Sequence, residues 1–320
     1  MIRVHAFAKI NLSLRVLGVL ADGYHELRTI LQSISLHDTL TIRRARGPFR
    51  LVCDDAACPS DSTNLVSRAA EAVWTVSGRS GSPRGVAVTL TKRIPISAGL
   101  GGGSSDAAAA IRVLANLWRV DVARLPGIAA SLGADVPYFL EGGTVLGLER
   151  GDVLFPLMDQ PRAWVTLVIP PFGVSAKDAY AWFDQDVAGD REDRAPADLR
   201  VRPALRRAHG ADPSTLAVSL SKDELRAGLR VGPYDECRND LEPAVAKRHP
   251  EIARIVSALR GAGASHAAMT GSGSTVFGLF DRRPAAFRAA ELLATRVRDL
   301  SNVIVARALT RAEYRRLAAK

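Results

Sequence analysis

The chain is short of cysteine, lysine and aromatic residues, and each shortage narrows what it can be. Its 320 residues include three cysteines, Cys53, Cys58 and Cys237. A count so low and odd excludes a disulfide scaffold and suits a reducing compartment. Cys53 and Cys58 have no second Cys pair and no nearby His, so they do not form a zinc-type site. No stretch reaches the ~18 uncharged apolar residues of a membrane helix. The opening Met1-Ile2-Arg3-Val4-His5-Ala6-Phe7-Ala8-Lys9 lacks the basic start and unbroken apolar run of a secretion signal. The expectation is a soluble, cytoplasmic protein. Only six of the 43 basic residues are Lys, and aromatics make up 6% of the chain. The net charge of +10 is therefore mostly Arg, spread along the chain and without the aromatic–basic clusters of a nucleic-acid reader. It suits an anionic small substrate.

Hydrophobic residues at 47% and charged residues at 24% are globular values. The length, near twice ~100–200 residues per domain, predicts two domains. Strands are expected over 3–17, 28–36, 38–43 and 86–91, with a turn at Asp22-Gly23. Asn64 is placed to cap a helix over 65–76 that Gly78 ends. Further helices are expected over 104–118 and over 125–132, the latter stopped by Gly133. In the second half, strand 163–169, helices 177–183 and 251–260, strands 265–270 and 275–280, helix 284–298 and strand 302–308 follow the split pattern of a ferredoxin-like domain. The charged stretch 184–236 reads as an irregular or helical insertion.

The densest chemical signal is Pro95-Ile96-Ser97-Ala98-Gly99-Leu100-Gly101-Gly102-Gly103-Ser104-Ser105-Asp106. Glycines let the backbone approach a ligand and aim its N–H groups inward. Ser104, Ser105 and Asp106 stand where N-caps belong. A helix N-terminus with free N–H groups is an anion site, so the segment reads as a phosphate loop, the alternative being a flexible turn before a helix. It is neither a Walker A loop, since no Gly-Lys-Ser/Thr follows, nor a dinucleotide fingerprint, since Ser104 replaces the third Gly. Lys9 lies in the apolar strand Ala6–Leu14. It is either a buried, paired ammonium or a snorkelling edge residue. Asp135, in Leu132-Gly133-Ala134-Asp135-Val136-Pro137, is either a functional carboxylate or a turn cap.

These segments, with Thr270-Gly271-Ser272-Gly273-Ser274, resemble the GHMP kinase superfamily. Ala8–Leu12, Arg15–Gly18, Asp22–Leu27 and Leu132–Pro137, with Gly173–Ser175 and Asn239–Glu242, are similar to its branch acting on 4-diphosphocytidyl-2-C-methyl-D-erythritol. The resemblance implies an α+β, two-domain GHMP kinase fold. Residues 1–157 would form a ribosomal-protein-S5-domain-2-like β/α domain, and residues 158–320 a ferredoxin-like domain carrying the insertion near 184–236. It implies transfer of a phosphoryl group from ATP, with Mg²⁺, to that small cytidine-diphosphate-linked substrate. No nucleic acid, membrane or dedicated metal site is implied. Lys9 and Asp135 would be catalytic. Pro95–Ser105 (Pro95, Ile96, Ser97, Ala98, Gly99, Leu100, Gly101, Gly102, Gly103, Ser104, Ser105) would bind phosphate, with Asn64, Lys92 and Asp106 near the nucleotide. Asn11, Tyr24 and His25 would contact substrate, and Gly271, Ser272 and Gly273 would support the loop. A homoserine- or mevalonate-type acceptor, or a non-catalytic nucleotide- or RNA-binding role, are the competing readings. Three features depart from the family pattern: Ser97 in place of Gly, Glu149-Arg150-Gly151-Asp152 with one Gly lost, and the length of the insertion.

Overall fold

The computed structural model describes residues 1–159, 162–192, 237–296 and 302–318. The N-terminal sheet is built on two long strands, β1 (Ile2–Val19) and β2 (His25–Pro48). The sequence reading split β2 in two. It is continuous because Leu36-His37-Asp38 contains neither Gly nor Pro. Along one edge β2 pairs with β1 over residues 25–42, with register shifts at Phe7/Lys9, Asn11/Ser13 and Val16/Gly18. The other edge is shared. β5 (Thr144–Glu149) takes residues 27–32 and β4 (Arg84–Thr91) takes residues 39–48. β3 (Arg50–Cys53) lies parallel to β4 and β6 (Val153–Pro156) antiparallel to β5.

Helices α1 (Leu65–Val76), α2 (Gly102–Trp118) and α3 (Leu125–Leu132) cover one face. Asn64 caps α1 through its side chain, and Gly78 follows in the left-handed region, as expected. Ala107–Ala110 are all buried, and their small size lets α2 lie close to α1 and the sheet. The short α4 (Tyr138–Glu141) follows.

The C-terminal sheet contains β7 (Trp164–Ile169), β8 (His266–Met269), β9 (Val276–Phe280) and β10 (Asn302–Arg307), in the order β10-β7-β9-β8. It is antiparallel throughout. With α5 (Ala176–Glu192), α6 (Glu242–Arg248), α7 (Glu251–Gly261) and α8 (Arg283–Arg296), it has the expected ferredoxin-like order. The expected helix over 177–183 is longer and runs on to Glu192, through Gly189. The rest of the expected insertion, 193–236, lies outside the described residues.

Ala8, Ile10 and Leu12 of β1 share one apolar cluster with Val165, Leu167, Phe277 and Leu279 of the second sheet. The middle of β1 is thus buried on both faces, and the even positions hold the halves together. Lys9 and Asn11, on the alternate positions, face the seam. After β10 the chain returns to the first half. There the helix α9 (Arg311–Ala318) packs Tyr314 on Phe7, and the Tyr314 hydroxyl donates to the Phe139 carbonyl at 2.6 Å. The pattern did not reveal this helix. No helix among the described residues is long and apolar enough to cross a membrane.

Candidate active site

The glycine loop runs from the end of β4 into α2. Its geometry corrects one expectation. Ser104, Ser105 and Asp106 are not caps, because the helix begins at Gly102, two residues before Ser104, behind a left-handed Gly101 (φ 71°). No side chain caps it, so the first N–H groups of α2 are left for an external anion. Two glycines are required by their surroundings. A Cβ on Gly99 would lie 2.5 Å from the Thr270 carbonyl oxygen and 2.9 Å from that of Gly273. One on Gly101 would lie 2.7 Å from Cζ of Phe139 and 3.2 Å from Cγ of Lys9. The Thr270–Gly273 turn of the second half is therefore pressed against the loop. Ser272 donates to the Val174 carbonyl at 3.4 Å. At the other end of the loop Ile96 is exposed, whereas Ala98 and Leu100 anchor it in the core beyond Pro95.

Lys9 reaches this loop from β1, whose Lys9 N–H donates to the Leu100 carbonyl at 3.0 Å. Its ammonium donates to Asn11 Oδ1 at 2.7 Å and lies 3.9 Å from Asp135 Oδ2. The Lys9 side chain is 5% exposed and that of Asp135 is 47% exposed. Burial lowers the Lys9 pKa below the usual lysine range, while Asp135 pulls it the other way. Asn11 is fixed from both halves. Its Nδ2 donates to Thr29 Oγ1 at 2.8 Å, its backbone N–H donates to Thr270 Oγ1 at 2.9 Å, and the Thr270 hydroxyl donates back to Asn11 Oδ1 at 3.2 Å. Asp135 sits between the end of α3 and α4, where the Val136 N–H turns back to the Gly133 carbonyl at 3.1 Å.

His25, at the start of β2, stacks on Tyr180 of α5 with ring centroids 4.5 Å apart, and its Nε2 lies 2.9 Å from Asp184 Oδ1. Burial and the charge of Asp135 push the Tyr180 phenol up. Tyr24 stands at the rim, 59% exposed. The Arg150 guanidinium lies 4.4 Å over its ring and also pairs with Asp22.

Asn64 and Lys92 are engaged within the protein. Asn64 Oδ1 accepts from the Val66 N–H at 2.8 Å, and its Nδ2 donates to the Pro59 carbonyl at 2.6 Å. Lys92 is buried between Asp38 and Asp106, 2.9 Å from the latter. Burial opposes its charge, but the two carboxylates hold it above the usual lysine range. Asp106 is itself buried, and that burial raises it to about 8 against the pull of Lys92.

The pattern gave no sign of Tyr180, Asp184 and Asp38, and it showed Thr270 and Asn239 only as parts of their segments, without their contacts. Asn239 Nδ2 donates to the carbonyls of Met269 and Gly271 at 2.8 Å each and shapes the second turn. Its Asn-Asp-Leu-Glu block was visible, but its role was not. Tyr180 carried no signal, because its partner is 155 positions away in sequence by number.

Two family departures coincide with backbone strain. Ser97 (φ 55°) and Glu149 (φ 58°) both occupy the left-handed region. A side chain there costs about 1–2 kcal/mol, partly offset by the roughly 0.5–1 kcal/mol that Gly loses in chain entropy. Ser97→Gly is therefore expected to stabilise the protein by up to about 1 kcal/mol, a rise in Tm of about 2 °C by calorimetry.

The chain matches the models for the GHMP kinases N terminal domain over residues 64–143 and the GHMP kinases C terminal region over residues 221–298. It is 42% identical over 277 residues to the 4-diphosphocytidyl-2-C-methyl-D-erythritol kinase of Pelotomaculum thermopropionicum, covering 86% of this chain and 87% of that one. It is also 42% identical to the kinase of that name from Solibacter usitatus, over 91% of this chain and 84% of that one. The chain belongs to the 4-diphosphocytidyl-2-C-methyl-D-erythritol kinase family, within the GHMP kinases. A crystal structure of a 4-(cytidine 5'-diphospho)-2C-methyl-D-erythritol kinase superposes with a TM-score of 0.71 at 33% identity, covering 96% of this chain and 98% of that one. The homoserine kinase of Cytophaga hutchinsonii shares the fold, with a TM-score of 0.63 at 19% identity, over 97% of this chain and 95% of that one. The two-domain GHMP kinase architecture expected from the sequence is thus the one this family has.

Proposed function

We propose that the chain phosphorylates the 2-hydroxyl of 4-diphosphocytidyl-2-C-methyl-D-erythritol with ATP, giving the 2-phosphate and ADP, on the methylerythritol phosphate route to isoprenoid precursors. The observation that carries the reading is the meeting of Lys9, Asp135 and the uncapped glycine loop at one seam, with Lys9 Nζ 3.9 Å from Asp135 Oδ2. Such a transfer needs positioning and charge neutralisation more than covalent chemistry from the protein.

In this reading the free N–H groups between Gly99 and Ser104 hold the β- and γ-phosphates; the Ser105 N–H, expected to join them, donates instead to the Gly101 carbonyl at 2.9 Å. Asp135 accepts the proton of the substrate hydroxyl as the new O–P bond forms and the bond to the ADP oxygen breaks. Lys9, aligned by Asn11, offsets negative charge on the moving phosphoryl group. His25 and Tyr180 offer a ring pair, and Tyr24 a further ring at the rim, for the cytidine. The glycines fit ATP. The loop has no room for a Cβ at Gly99 or Gly101, and the helix behind it is uncapped. Mg²⁺ would be held by phosphate oxygens and water, since no cluster of three or more His, Cys, Asp or Glu suited to an ion occurs among the described residues. Bound there, it would neutralise phosphate charge. We divide the chain functionally at residues 157/158, with the kinase loop in the first part and ring contacts from both. We place the reaction in the cytoplasm, where ATP is plentiful.

An ADP-release assay with Mg-ATP and a panel of acceptors tests the reading. Turnover is expected with the cytidylyl substrate and not with homoserine or mevalonate; the reverse pattern would reject it. In the same assay Lys9→Ala is expected to lower kcat by about 10²–10³-fold. The pH profile carries a sign. Because burial lowers the Lys9 pKa, its ammonium is lost as pH rises through a value below that of an ordinary lysine. The alkaline fall in kcat therefore begins earlier than 10.5, the ordinary value.

A further inference from the structure

Asp38 belongs to no segment that the phosphate-loop reading uses, yet it is completely buried beneath that loop. It sits on the shared edge of β2, just before the residues that pair with β4. Beyond the end of β4 its Oδ1 accepts the backbone N–H groups of Arg93 and of Ile94, the latter at 2.8 Å. Its Oδ2 takes the Lys92 ammonium, which also reaches Asp106 Oδ2 in α2 at 2.9 Å. Lys92 Nζ lies 3.3 Å from where a Cβ of Gly102 would be, so the ammonium stands directly behind the first residue of the anion-binding helix. Asp106 Oδ1 and Ser105 Oγ are buried with no hydrogen-bond partner among the described residues.

We propose that Asp38 is a positioning residue for the nucleoside triphosphate: through Lys92 it sets both the seat and the charge of the first turns of α2. The inference rests on the reading of the glycine loop as the triphosphate site.

The charge argument is one of sharing. Two buried carboxylates divide one ammonium. Asp38 also holds two peptide N–H groups, so the proton that the cluster retains falls to Asp106, whose other oxygen has no donor. The remaining titratable neighbours are Cys58 and Cys53, which touch the same corner from the loop before α1 and from β3. Asp54 holds the Lys92 N–H at 2.8 Å and pairs with Arg93 at the surface. With Asp106 protonated, the cluster is neutral behind the phosphates. Asp106 is raised to about 8, and above that pH it adds a negative charge in the second turn of the helix that receives an anion. Without the charge of Asp38, Lys92 would pair with Asp106 alone and hold it ionised at neutral pH.

The test is equilibrium binding of Mg-ATP to the full chain between pH 6.5 and 9.5, by titration calorimetry, with circular dichroism to confirm folding. The unmodified protein is expected to lose affinity about three- to tenfold as pH passes roughly 8, the scale of one added like charge at this range. In Asp38→Asn the cluster stays neutral as a Lys92–Asp106 pair, so the variant is expected to bind Mg-ATP at pH 7 within about threefold of the parent and to lack the alkaline limb. A purely architectural Asp38 would lower Tm and leave the alkaline limb in place, and that result would overturn the proposal. If Asp38→Asn does not fold, Asp106→Asn carries the test, because the alkaline limb must then disappear; a limb that persists overturns the proposal as well. Failure of the unmodified protein to bind Mg-ATP at any pH would instead reject the phosphate-loop reading itself.

Discussion

Asp135→Asn is expected to lower kcat by about 10²–10⁴-fold, the usual worth of general-base assistance, with little change in Tm. The substitution keeps the shape of the side chain and removes its ability to take a proton. The carboxylate is half exposed, so an amide there leaves no buried group unsatisfied. The KM for ATP should hold, because in the proposed arrangement the phosphates meet the glycine loop and not Asp135. Single-turnover measurement of ADP release checks this, and a variant within threefold of the parent rate would remove Asp135 from the chemistry. The neighbouring Lys9 sharpens the outcome. It retains Asn11 as a partner at 2.7 Å when Asp135 is neutralised, so the pocket should not collapse around an unpaired ammonium.

Gly99→Ala is expected to damage nucleotide binding and stability together. The new methyl would meet two backbone oxygens, at 2.5 Å on Thr270 and 2.9 Å on Gly273, and neither is the loose end of a flexible side chain. Both belong to a turn closed by the Gly273 N–H on the Thr270 carbonyl at 3.0 Å and the Thr270 N–H on the Thr275 carbonyl at 2.9 Å. The residue also has φ +77°, which adds about 1–2 kcal/mol for any L side chain. Separating the two turns by an ångström shifts the phosphate donors relative to Lys9, and a misplacement of that size costs about 10²-fold in rate. We therefore expect kcat/KM for ATP to fall by about 10²-fold or more, with a lower Tm. Gly127→Ala, in α3 with nothing within 4 Å of the added carbon, is the control and should be neutral or stabilising. Equal kinetics for the two variants would show that the loops do not need to touch.

Local chemistry made the glycine loop before α2, the cap at Asn64 and most helices legible. These depend on contacts a few residues apart, and glycine, asparagine and alanine carry them in their own side chains or in lacking one. The ferredoxin-like half could be read from the order of its elements, which is a property of the chain rather than of any residue. Other features could not be read. Asp38 stood as the first residue of an expected strand over 38–43, and only the fold shows that β2 runs through it from His25 while its carboxylate crosses to the end of β4. Tyr180 and Asp184 lie on a helix whose pattern says only that it is a helix. Their relation to His25 is a long-range contact that no periodicity encodes. Ser104, Ser105 and Asp106 misled in the opposite way. They have the residue types of a cap, but Gly101, free to turn left-handed, had already begun the helix.

Asn11, which aligns the lysine at the seam, takes its backbone partner from Thr270, 259 positions further along the chain. At about 5–20 residues per second, a ribosome needs roughly 13–50 s to cover that interval. During it the lysine, the glycines and the aspartate have all been synthesised without the turn that presses on them. Until then Asn11 is held from its own half alone, through Thr29 at 2.8 Å.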